Sequence, residues 1–454
     1  MGLSIAIAGV MTTRAPRDGL AAAPSLDASH VPGMLVPART PTRLATGHPR
    51  RAAPRRWLNE AGGHGMRIRW AMVVVMLSSA GALMVSTPGC GSDAERSAIR
   101  VGLAAPLTGS GAVLGEQMRM GAGLAMVRRN AKGGIGGRPI ELVYGDDRGR
   151  ESQAAIVAER LAQDPGIVAV IGHFNSVCSL AGKPIYGAAG VLQFSPGSTN
   201  VDVCRGSDWT FRNLYSDDYQ GQAIARYVAN TLGLQRAAVL YDNDAYGIGL
   251  KDAFAGEAER IGLEVVSESP YAREVTLDFS AAVAEADSLG AEIIFISGLY
   301  NEAALIAMAA RGQGIQTPFI GGDGVISEAL VRVGGDAVEG MLIMTTFIVH
   351  PDVGGAAAQE FAEAFFEAYD RTADTWAALS YDAANQLFEA IEDAGPDRKG
   401  IRDYFARMTS PERAYHGVTG ATYFDENGDC LKPGYITVVR NGEYVPAARQ
   451  LAAP

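Results

Sequence analysis

"IVAVIGHFNSVCSLAGKPIYGAAGVLQFSPGST", residues 167–199, holds a strand, a helix and a second strand in immediate succession. "IVAVIG" is an unbroken apolar run of strand length, and "VLQFS" at 191–195 is another. A helix is expected between them, from about Ser176 to about Ala189. The same alternation continues upstream. "IRVGLAAPL" (99–107) reads as a strand, "GEQMRMGAGLAMVRRNA" (115–131) as a helix with Met120, Leu124 and Val127 on one face, and "RPIELVYGDD" (138–147) as a strand. "ESQAAIVAERLAQD" (151–164) is the next helix. Strict β-α-β-α order marks a parallel sheet covered on both faces. The pattern restarts downstream with helices at 219–233, 246–262, 279–290 and 301–314, and strands at 237–244, 263–269, 291–297, 318–322 and 340–347. Two α/β lobes of roughly equal size follow. Helices at 357–370 and 376–394 come next, the latter with a core stripe of Leu379, Ala383, Leu387 and Ala390. A β-hairpin over 421–445 closes the chain.

The charge is uneven. Residues 1–90 carry about +7 and the remainder about −18. So acidic a folded portion excludes nucleic acid as a partner. From Met66, Arg67 and Arg69 precede an apolar core from Trp70 to Val85, which is short for a membrane span and fits a secretory signal peptide. A transmembrane anchor is the alternative. "TPGC" then resembles a bacterial lipobox, with Thr87 where leucine is usual, so Cys90 is expected to carry lipid and hold the protein at a membrane surface. Residues 1–65, rich in Ala, Pro and Arg, read as a leader or as sequence ahead of a true start at Met66. A short tether covers 91–98. With Cys90 lipidated, Cys178, Cys204 and Cys430 leave one disulfide and one thiol for an oxidising compartment. Cys178–Cys204 is the expected pair, because both follow adjacent strands.

Several motifs have plain readings. In "NAKGGIGGRP" (130–139) a helix precedes the glycines and a strand follows, the reverse of a dinucleotide site, so they cap the helix and make a turn. "DENGD" (425–429) lacks the later ligands of a calcium loop and reads as a hairpin turn. No HExxH, CxxC or paired histidine supports a metal, and no cofactor is expected.

"VIGHFNSVCS" (170–179) gathers His173, Ser176, Cys178 and Ser179, the ingredients of a nucleophilic enzyme, but lacks a GxSxG elbow. The backbone offers another reading. A helix starting near Ser176, at the carboxyl edge of a parallel sheet, aims free N–H groups and a partial positive charge outward. Such a turn binds anions. Ser176 adds a hydroxyl, and "SPGST" at the next strand end offers Gly197, Ser198 and Thr199. A cradle for one carboxylate and ordinary helix capping both fit these residues.

The blocks "GLAAPLTGSGAVLGEQMRMGAGLA", "NAKGGIGGRPIELVYGDD", "VIGHFNSVCS", "FSPGSTN", "YDNDAYGIGL" and "FIGGDGV", in order and spacing, resemble the bacterial periplasmic branched-chain amino-acid-binding proteins. The resemblance implies the type I periplasmic-binding fold: two Rossmann-like lobes joined by three crossovers, with the ligand between them. Residues 99–218 and 347–426 would form the first lobe, and 219–346 and 427–450 the second. It also implies that Ser176 and Gly197–Ser198–Thr199 contact the ligand's carboxylate and ammonium, that Tyr246 closes over it, and that Asp323 pairs with the ammonium. Leu114 and Leu299 stand where the best-known members carry tyrosine, with Tyr300 following, and Trp376 stands near a position that is often phenylalanine. The pocket stays apolar with an altered shape. The implied function is capture of an apolar amino acid by hinge closure and delivery to an ABC permease of the inner membrane, by a monomer with no covalent chemistry. Alternatives are a sensor of the same fold for an amide or small carboxylate, and a Cys- or Ser-dependent hydrolase.

Overall fold

A computed structural model describes residues 97–350 and 355–451. The segments expected to be a leader, a signal peptide with Cys90, and most of the expected tether lie outside the described residues.

The first sheet consists of β1 (Ile99–Ala105), β2 (Ile140–Asp146), β3 (Ile167–Gly172), β4 (Leu192–Ser195) and β5 (Thr210–Arg212), all parallel, in the order β2-β1-β3-β4-β5. Every residue of β3 is buried, as a central strand covered on both faces requires. Helices α1 (Ala112–Ala131), α2 (Glu151–Gln163) and α3 (Ser176–Ala189) connect the strands. The bounds of α3 are those expected from the sequence.

The second lobe repeats the plan. It begins with α4 (Asp217–Arg226), which packs on α5 (Ala245–Ile261). Its strands are β6 (Arg236–Asp242), β7 (Glu264–Tyr271), β8 (Ile293–Ser297), β9 (Phe319–Gly321) and β10 (Leu342–Thr345). Helices α6 (Ser280–Ser288), α7 (Tyr300–Gly312) and α8 (Glu328–Gly334) intervene, the last not foreseen. The chain then returns to the first lobe with α9 (Gly355–Tyr369), α10 (Thr375–Ala394) and α11 (Arg398–Ala406), of which α10 packs along α1. The stripe Leu379, Ala383, Leu387 and Ala390 is wholly buried. A small hairpin, β11 (Tyr415–Gly417) and β12 (Gly420–Thr422), precedes the last passage between lobes. Finally β13 (Tyr435–Arg440) and β14 (Glu443–Pro446) join the second sheet antiparallel, giving the order β14-β13-β10-β9-β8-β6-β7. The lobes are therefore linked three times: after β5, after β10 and after β12.

Three expectations need correction. The closing hairpin is β13–β14 alone. Residues 423–434 form the third connection, and "DENGD" is a turn within it, where the Asp425 carboxylate accepts the N–H groups of Asn427 and Asp429, both at 2.9 Å. Val127 is 57% exposed, whereas Met120 and Leu124 are buried; α1 is covered by its sheet and by α9 and α10, and Val127 faces outward between them. Cys178, Cys204 and Cys430 are all free, buried thiols. Cys178 on α3 lies toward Asp147 and Asp244, while Cys204 lies against Arg212 and Asp429, so the two sulfurs occupy different surroundings. The glycine-rich run behaves as read: Gly133, Gly134, Gly136 and Gly137 all take positive φ just after α1, a conformation glycine adopts without strain.

Candidate functional site

The carboxyl ends of β3 and β4 face those of β8 and β9 across the gap between lobes. On the first lobe, the turn into α3 is held from beneath. The His173 ring sits between Asp147 (Nδ1 to Oδ2, 2.7 Å) and Tyr186 (Nε2 to OH, 3.2 Å), all three fully buried. The Asn175 carbonyl accepts the first helical bonds, from the N–H groups of Cys178 and Ser179. The Asn175 side chain does not cap the helix. The N–H groups ahead of Cys178 have no partner within the helix, so the positive end of α3 is aimed at the cleft. Ser176 lies beside them, its hydroxyl accepting the Asn200 N–H at 3.3 Å.

The loop after β4 packs against this turn. A Cβ on Gly197 would lie 2.6 Å from the Phe174 ring, so only glycine allows the approach. The Ser198 hydroxyl donates to the Phe174 carbonyl at 2.9 Å and meets Ser179 Oγ at 2.7 Å, which pins the loop and directs Ser198 away from the gap.

The facing wall belongs to the second lobe. Asp244 caps α5 through the Gly247 N–H (2.9 Å), which sets Tyr246 on the first turn. The Tyr246 hydroxyl donates to Asp323 Oδ1 (3.0 Å) and accepts the Gly324 N–H (3.1 Å). Asp323 follows β9 and is only 2% exposed. Burial pushes its carboxyl up to about 6, against the lowering pull of the Gln220 side chain and then of the Tyr246 hydroxyl.

Ser176, Gly197, Tyr246, Leu299, Asp323 and Trp376 thus line one small cleft, together with Phe174, Asn175 and Gly324, which sequence reasoning did not single out. The Trp376 and Phe174 rings meet edge to face at 4.8 Å. The other candidates lie elsewhere. Thr199 is buried behind the wall, its hydroxyl unpartnered. Leu114 belongs to the hydrophobic core. Tyr300 sits at the rim, where its hydroxyl donates across the gap to the Ser110 carbonyl at 2.6 Å. Asn200 Nδ2 likewise reaches the Ala245 carbonyl at 2.6 Å, so the lobes are closed on each other.

Behind the cleft lies a buried polar group that local sequence did not reveal. Asp217, Tyr215 and Gln220 are buried with unpartnered polar atoms. Burial, reinforced by the charge of Asp323, pushes the Asp217 carboxyl well up. In "RNLYSDDYQGQ" the acidic pair reads as an ordinary helix start, and its position at a lobe junction was the one available signal.

The nucleophile reading of 170–179 finds no support in this geometry. Both ring nitrogens of His173 are engaged in structure, and burial raises the Cys178 thiol far above its usual range, keeping it neutral. Among the described residues no cluster of metal-ligating side chains is present, and no helix is long and apolar enough to cross a membrane.

Known proteins share this architecture. The Leu/Ile/Val-binding protein homolog 2 of Brucella abortus is 36% identical over 352 residues, spanning 76% of this chain and 91% of that protein. The crystal structure of a leucine-binding protein, LivK, from Thermotoga maritima superposes with a TM-score of 0.71 at 32% identity, covering 77% of this chain and 98% of that one. A branched-chain amino acid transporter substrate-binding protein, LivJ, from Streptococcus pneumoniae, solved with isoleucine, also gives 0.71 at 30% identity, covering 76% and 97%. Residues 98–443 match the periplasmic binding protein family. With two parallel-sheet lobes closed over a polar-ended, apolar-walled cleft, this chain belongs to the periplasmic binding protein family and has its type I fold.

Proposed function

We propose that the protein captures an apolar amino acid of the branched-chain type outside the cytoplasm and delivers it to an ABC permease. One observation carries this reading: the buried Asp323 carboxylate lines the same small cleft as Asn175 and Ser176 at the amino end of α3. A zwitterion needs that pairing. Its carboxylate would take the N–H groups of α3 and the Ser176 hydroxyl, and its ammonium would lie on Asp323 beside Tyr246. Phe174, Leu299 and Trp376 would cover the side chain. Exclusion of water on closure strengthens the charge-assisted bonds. Micromolar affinity requires only about −8 kcal/mol in all.

A thermal-shift screen with twenty amino acids, their amides and short carboxylates tests the ligand class. Leucine, isoleucine or valine at a hundredfold excess over Kd is expected to stabilise the fold by about 2.7 kcal/mol. Shifts with amides or carboxylates alone would move the reading to the sensor alternative, and no shift with any amino acid would end it.

The N-terminal segment supports a membrane-tethered form. Arg67, Arg69 and the apolar core 70–85 lead to Cys90, and one lipidated residue there would hold the folded lobes near a permease. Labelled palmitate should enter the protein in a bacterial host and disappear in Cys90→Ala; equal labelling of that variant would refute the tether.

A further inference from the structure

A second, half-open pocket is lined by residues that neighbour those of the cleft in the chain. Both lobes build it, with Gln117 and Thr375 on one side and Ile326, Val331 and Tyr444 on the other. Phe347, in the second connection, adds to the apolar wall. The same two chain segments line both spaces. Asp323 and Gly324 face the cleft, and Ile326, two residues on, faces the cavity. Trp376 faces the cleft, and Thr375 the cavity. The indole links the two linings: its Nε1 donates to the carbonyl of Ile326, which lines the second pocket, at 3.2 Å, and its ring packs edge to face on Phe174 in the cleft.

We propose that Trp376 is the length gate of the binding site, ending the side-chain pocket and closing off a cavity able to receive a longer apolar side chain. The inference rests on the amino-acid reading given above. The cleft is small, while the pocket next to it is the roomier of the two and has apolar residues in its wall. Loss of the indole removes a wall, not a charge. The carboxylate and ammonium contacts at Ser176 and Asp323 are untouched. Each further methylene buried against Ile326, Val331 and Phe347 should then tighten binding roughly fourfold.

Dissociation constants for L-valine, L-leucine, L-norleucine, L-2-aminoheptanoate and L-2-aminooctanoate, measured by calorimetry on the full chain, test the gate. The unaltered protein should prefer leucine or valine and bind the two longest members at least tenfold more weakly. Trp376→Ala should raise the affinity ratio of 2-aminooctanoate to leucine by tenfold or more. Trp376→Phe, which keeps a ring on Phe174 and loses the bond to Ile326, should hold the original preference. If Trp376→Ala does not fold, Trp376→Leu should show the same change of ratio. A uniform loss across the series in a folded variant overturns the gate and leaves the amino-acid reading intact. So does an unaltered protein that binds 2-aminooctanoate as tightly as leucine. An unaltered protein that ignores the entire series defeats both.

Discussion

Asp323→Ala is expected to weaken amino-acid binding by roughly two to three and a half orders of magnitude, the equivalent of about 3–5 kcal/mol for a buried pair that loses one partner. The side chain is buried against Tyr246, and among the described residues no lysine or arginine forms an ion pair with it. In the empty protein that carboxylate is a liability, since a buried charge without a counter-charge costs stability. The variant should therefore be at least as stable as the parent without ligand while losing affinity, a combination that a merely structural role could not give. Calorimetric titration with leucine and denaturant unfolding, run on the same sample, separate the two. Retained affinity would remove Asp323 from the ammonium site.

The same residue sets a pH dependence. Its folded-state carboxyl sits at about 6, raised by burial, against about 3.9 for an unfolded aspartate. Between these values the folded state binds the extra proton, so its contribution to stability is fully present below the unfolded value and is lost as pH rises through about 6. Burial raises Asp217 in the same sense. A bound ammonium reverses the preference by favouring the ionised form. Affinity should be flat above pH 6 and fall about tenfold by pH 5, with proton release on binding. Asp323→Asn should flatten the profile, and a profile unchanged in that variant would place the titrating group elsewhere.

The sequence was most legible where structure is local. The run 167–199 fixes β3, α3 and β4 because each element is short, apolar and bounded by its own turn. The ends of α3 needed nothing from outside the segment. The opposition of Ser176 and Asp323 was a different matter. Their separation in the chain puts the pairing beyond any period, and only the resemblance to a family supplied it. Ser198 shows the limit of that transfer, since its hydroxyl is taken up by the Phe174 carbonyl beneath the loop. Val127 misled because helical periodicity shows which residues share a face and not which neighbours cover it. Arg212 was missed because its partner lies 217 residues away, and Asp217 and Gln220 because what buries them comes from other segments.

That distant partner carries the second large effect. Arg212 ends β5, at the entrance to the first connection, and is fully buried. Its Nε donates to Asp429 Oδ1 at 2.7 Å, and its two terminal nitrogens donate to the Ser198 and Asn200 carbonyls at 3.0 and 2.9 Å. Those carbonyls flank Thr199, on the loop that places Gly197 in the cleft. Asp429 stands in the third connection. One guanidinium therefore ties two of the three links between lobes to the ligand-facing loop, using a planar fork that lysine cannot reproduce. Removing the carboxylate strands a positive charge in the interior, so Asp429→Ala should destabilise the fold by about 3 kcal/mol, the lower end for a broken buried pair because Asp429 is slightly exposed. Arg212→Ala should cost about 5 kcal/mol, since it also frees both carbonyls and leaves a void. Arg212→Met with Asp429→Leu removes both charges together and should recover much of that stability. Its affinity should stay low, because nothing then holds the loop. Urea unfolding paired with leucine titration reads both quantities. A stability loss under 1 kcal/mol in Asp429→Ala, or full affinity in the double variant, would reduce this contact to packing and detach the hinge from the loop that grips the ligand.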